Sequence, residues 1–149
     1  MLKKYGQLFV SALFVCDTLV ITFSWLAAYF VRFKLDIIPV DQGIPQISQY
    51  VTLLLPILII FLFNIKVCGL YEPLGGRSYL IEYYNIGKVT FISVLMLAAV
   101  SFFYRGASYS RMVVLIFWAL VTLAMIFSHM MVRQALMVMR RKGLNLSNV

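Results

Sequence analysis

Asp17 is the residue most suited to chemistry in this chain, and its setting is unusual. It stands inside "LFVSALFVCDTLVITFSWLAAYFVRF", residues 8–33, which is otherwise uncharged until Arg32. An acid in such a run can carry a proton or bind a substrate. It can also make an interhelical hydrogen bond or ion pair. On a helix its face carries Val10, Leu13, Ile21, Ser24 and Ala28. Ser24-x-x-x-Ala28 is a small-residue step that lets another helix approach closely. At the centre of a membrane helix an Asp costs about 2.5–3.5 kcal/mol, so it is expected to be paired or protonated. Polar groups at matching depth in later segments are Asn64, Lys66, Lys88, His129 and Arg133. His129 and Arg133 are the expected partners. From these residues alone the functional and structural readings both stand.

Other chemistry is sparse. The five acids are Asp17, Asp36, Asp41, Glu72 and Glu82, and His129 is the one histidine. Asp36 and Asp41 share one loop, and Glu72 and Glu82 share another. A site combining the two pairs would have to span the membrane, and the inner pair has no histidine or lysine base placed with it, so no catalytic residue is assigned. "LYEPLGGRSY" lacks the spacing of a phosphate loop. No cluster of His and Cys suggests a metal. Cys16 and Cys68 do not form a disulfide framework. "MLKKYGQLFVSALFVC" imitates a lipobox signal, but Val15 replaces the expected small residue and the apolar run continues too far.

The positioning elements follow from hydropathy. Of 149 residues, 63% are hydrophobic and 12% charged, and the mean hydropathy is +0.95. Soluble domains hold about 25% charged residues. The composition therefore predicts an integral membrane protein. Apolar runs at 8–31, 50–70, 86–104 and 112–132 each approach the roughly 20 residues that span a bilayer. Each is expected to be a helix, since lipid offers no partners for free backbone groups. The expected fold is all-α, a four-helix transmembrane bundle in residues 1–142. The fourth helix extends into a basic tail, and residues 143–149 begin a linker or strand into a further cytoplasmic domain. Ser78 to Asn85 reads as a short surface helix.

Nine basic residues fall at one end of the expected bundle and four at the other. The richer end is expected to be cytoplasmic, with both termini there. The formal net charge of +8 then meets anionic headgroups rather than nucleic acid. Arg140, Arg141 and Lys142 are the expected headgroup or lipid-phosphate contacts.

The order of these features resembles a family. Asp17 precedes "AAYFVRF"; "GLYEPLGGRSYLIEYYNIGKV" follows the second helix; "YSRMVVLIFWAL" opens the fourth; "RQALMVMRRKGLNLSNV" ends the chain. This is similar to the amino-terminal membrane region of bacterial polyprenyl-phosphate hexose-1-phosphate transferases. Pro73 departs from the pattern, in which a basic residue is often found. The resemblance implies a membrane-anchoring and assembly domain in the bacterial inner membrane. The parent enzyme would move a hexose-1-phosphate from a UDP-sugar to undecaprenyl phosphate in exopolysaccharide or O-antigen synthesis. Its catalytic part and magnesium would lie in a missing region, so this segment would be a non-catalytic fragment with no cofactor. The implied partners are the bilayer, undecaprenyl phosphate and a second copy of the chain. The alternatives are the membrane anchor of a nucleotide-sugar dehydratase or epimerase, and a small proton-coupled transporter using Asp17. Under the resemblance, Asp17, Ser24, Asn64, His129 and Arg133 are intramembrane structural residues.

Overall fold

The computed structural model describes residues 2–35, 43–71, 78–103 and 110–141. Among them are four helices: α1 (Leu2–Phe33), α2 (Ile47–Val67), α3 (Tyr79–Phe103) and α4 (Arg111–Arg141). Each packs on its chain neighbours, and α1 and α4 close the ring with the most extensive contact of all. Neighbours run antiparallel: Asp17 and Trp25 in α1 meet His129 and Phe117 in α4 in reverse order. The arrangement is an up-and-down bundle with short connections.

The inward stripes have helical spacing. In α4, Val113, Phe117, Val121, Met125 and His129 follow one another every fourth residue, and all are buried. In α1 the stripe is Leu13, Asp17, Ile21, Ser24, Trp25 and Ala28. Ser24 and Ala28 therefore do lie on the face that packs inward.

The third helix starts earlier than hydropathy predicts. The surface helix expected at 78–85 is the first part of α3, continuous to Phe103. Glu82 is responsible, because its buried carboxylate finds cationic partners and this turn can join the core.

The end of α2 is set by Gly69, at φ +65°. Gly69 N–H donates to Lys66 O and Leu70 N–H to Ile65 O, both at 3.1 Å. These are the two bonds of a Schellman cap, with its apolar contact supplied by buried Leu70 and Ile65. The cap delivers Tyr71 to the same end of the bundle as Asp17.

By length and composition, all four helices are apolar enough to cross a membrane. Their outward faces carry large apolar side chains, among them Phe23, Leu55, Leu80, Phe102 and Leu123. The expected turn at Gly75-Gly76, the side chains of Arg140 and Arg141, and residues 142–149 lie outside the described residues and side chains.

Candidate functional site

Three helices place four charged groups in one chain of contacts. On α4, His129 and Arg133 are one turn apart and face the same way. His129 Nε2 lies 3.3 Å from Asp17 Oδ1 on α1. Its Nδ1 lies 3.2 Å from Glu82 Oε1 on α3. Arg133 Nη1 donates to Glu82 Oε2 at 2.7 Å. The Arg133 guanidinium also sits over the Tyr79 ring, 3.6 Å from its centroid. The order is Asp17, His129, Glu82, Arg133, Tyr79.

The interior members are almost fully enclosed: Asp17 is 0% exposed, His129 3% and Glu82 4%. A carboxylate only accepts hydrogen bonds, and a neutral imidazole has one donor. Both ring nitrogens face carboxylate oxygens, so the doubly protonated ring satisfies the geometry. Two anions and two cations then balance. Balance matters at this burial, because an ion stripped of water and left unpaired costs several kcal/mol.

One corner closes on a phenol. Asp17 Oδ2 and the Tyr71 hydroxyl are both buried and bear on each other. Burial, and then the nearby Asp17 charge, push the Tyr71 phenol above its ordinary value. Tyr71 therefore stays a neutral phenol.

A second polar contact joins α2 to α3. Asn64 Nδ2 donates to Ser93 Oγ at 3.1 Å and to Ile60 O at 3.0 Å. Nearby, Thr122 Oγ1 bonds Thr90 Oγ1 at 3.0 Å, tying α3 to α4. Lys66 and Lys88 are exposed at the same end as Arg133. On α3, Leu80, Tyr84 and Lys88 form one exposed face, each a turn from the next.

The structure brings Asp17 and His129 together and ties Arg133 to them through Glu82. Asn64 belongs to the separate α2–α3 contact, and Ser24 packs without joining the chain of charges. Sequence reasoning missed Glu82, which it placed on a short surface helix without a histidine partner. The available signal was helical spacing, since Glu82, Ile86, Val89 and Ser93 form one stripe. Among the described residues no group of His, Cys, Asp and Glu is suited to a metal ion. Both imidazole nitrogens of His129 are already occupied by carboxylates. The enclosed chain of charges can hold helices in register and shift a proton.

A family model described as a CoA-binding domain matches residues 66–149, more than half of the chain. Neither the curated proteins nor the solved structures contain a match. The matched part includes Glu82, His129 and Arg133, while Asp17 lies before it.

This finding overturns the resemblance to the polyprenyl-phosphate sugar-phosphate transferases. The anchoring role in exopolysaccharide synthesis falls with it. So do the alternatives of a dehydratase or epimerase anchor and a proton-coupled transporter. The partners drawn from it (bilayer, undecaprenyl phosphate, second copy) are withdrawn, as is the multi-pass inner-membrane placement. The all-α four-helix bundle stands, and its assignment as membrane-spanning does not. The physical reason is the coarseness of the two signals. Hydropathy reads length and composition. A basic cluster reads phosphate without saying whose phosphate it is. Cations assigned to lipid headgroups suit the phosphates of coenzyme A equally well.

Proposed function

The chain belongs to the CoA-binding domain family, and on that premise we propose that it binds coenzyme A or an acyl-CoA at the basic end of its bundle. The observation that carries the reading is the matched segment itself. Residues 66–149 contain nine lysines and arginines against two acids. Coenzyme A presents a pyrophosphate and a 3′-phosphate, which such a charge excess attracts. Arginine suits phosphate oxygens because its planar fork can donate two parallel bonds.

Two groups of residues support this placement. Lys66, Lys88 and Arg133 belong to the described end of the bundle. Arg140, Arg141 and Lys142 follow in sequence, and we assign them to the ligand's phosphates. Exposed Tyr84, one turn before Lys88, offers a ring on which adenine can stack, and base–aromatic stacking contributes about 1–3 kcal/mol. Asp17, Asn64 and His129 are assigned to holding the bundle, and Ser24 to the close approach of α1.

The test is equilibrium dialysis of the full chain against coenzyme A, dephospho-coenzyme A and pantetheine. Saturable coenzyme A binding is expected, weaker at high salt and weaker without the 3′-phosphate. Absence of saturable binding at millimolar coenzyme A would overturn the reading.

A further inference from the structure

Glu82 divides its carboxylate between two cations. Oε1 faces His129 and Oε2 accepts from Arg133. What His129 carries therefore decides how much of the Glu82 charge falls on Arg133. His129 in turn is held from the other side by Asp17, on a helix that precedes the matched segment. We infer that Asp17 is a positioning residue for the anionic ligand, acting through His129 and Glu82 on the availability of Arg133. The inference rests on the coenzyme A reading for the ligand, and on geometry alone for the relay.

One proton links these groups. With Asp17 ionised, a doubly protonated His129 is flanked by an anion on each side. The ionisable groups on the packed elements are Asp17 on α1, Tyr71 after α2, and Glu82 with Tyr79 on α3. Arg133 lies beside His129 on α4. Tyr71 stays neutral, so the four charges sum to zero. Removing the Asp17 charge leaves His129 with one carboxylate, and the imidazole gives up its second proton. Glu82 then has Arg133 as its one cation and holds it more tightly. A guanidinium held this way is less available to a phosphate. The amino-terminal helix is thus part of the binding unit, although it lies outside the matched segment.

His129 is the one histidine in the sequence, so its ring nitrogens are read directly by nitrogen NMR of the full chain. In the wild type at neutral pH both nitrogens are expected at protonated positions. In Asp17→Asn one nitrogen is expected at the unprotonated position, and in Asp17→Glu neither. A neutral imidazole in the wild type would overturn the inference whether or not any variant folds. Dialysis against coenzyme A supplies the second readout. Asp17→Asn is expected to lower affinity by roughly fivefold or more, the lower end of coupling between sites. The double variant Asp17→Asn, Arg133→Ala is expected to bind no more weakly than Arg133→Ala alone. Additive losses, or an unchanged affinity in Asp17→Asn, would overturn the positioning role. If the wild type fails to bind coenzyme A, the functional reading is lost and with it the ligand role of Asp17. The NMR result then still decides whether the relay exists.

Discussion

The two ends of the bundle are built on opposite principles. One end is closed by charge, through Asp17, His129, Glu82 and Arg133. The other is closed by aromatic rings. There Trp25 meets Phe117 edge-on at 5.2 Å between centroids, and Tyr50 lies 4.9 Å from Tyr29 and 5.6 Å from Trp25. Phe61 adds a further edge contact to Phe117 at 5.4 Å. Two polar handles of that cluster bond backbone: Trp25 Nε1 donates to Tyr50 O and the Tyr29 hydroxyl to Pro45 O. These rings bury large apolar area with no charge left to compensate, so this end is suited to stability. A buried ion chain fails when any one member is lost, so the other end is suited to specificity and response.

Substitutions at each end sharpen this contrast. Glu82→Ala should have the largest effect, because it removes the carboxylate shared by His129 and Arg133. Removing one partner of a buried ion pair costs about 3–5 kcal/mol, and denaturant unfolding should show a loss in that range. Phe117→Ala should approach it at the aromatic end, since deleting a buried ring costs about 3–5 kcal/mol. The two losses should differ in kind. Phe117→Leu should restore much of the stability, whereas Glu82→Leu should not, because His129 and Arg133 each lose the Glu82 carboxylate. Asp17→Asn should lose about 1.5–3 kcal/mol, the worth of a hydrogen bond to a charged group. Trp25→Phe keeps the ring contacts and loses one donor, at about 1 kcal/mol. Gly69→Ala should cost a similar amount, roughly 1–2 kcal/mol for a side chain in the left-handed region, read as a lower thermal midpoint. A Trp25→Phe loss as large as that of Glu82→Ala would erase the distinction between the ends.

The aromatic end and the charged end were unequally legible in the sequence. Trp25, Tyr29 and Phe117 lie in long apolar runs, and such runs announce helices without ambiguity. Asp17 and His129 also stood out, as a lone acid and a lone histidine in apolar surroundings. Glu82 did not. It lies among tyrosines and an asparagine, six residues after a Gly-Gly pair, and local polarity reads as a short surface helix rather than part of the core. Only its pairing across helices lets α3 begin at Tyr79, and such pairing has no local signature. The ligand was less legible still. Arg140, Arg141 and Lys142 signal phosphate, but phosphate is shared by lipid headgroups, polyprenyl carriers and coenzyme A. The motif order pointed to a transferase, and the family match across residues 66–149 replaced that assignment.

The measurement that bears most directly on this account is dialysis of the full chain against coenzyme A, wild type beside Arg133→Ala. The account predicts saturable binding that high salt weakens and that Arg133→Ala reduces. Absence of saturable binding at millimolar coenzyme A, or binding indifferent to both salt and Arg133, would contradict it.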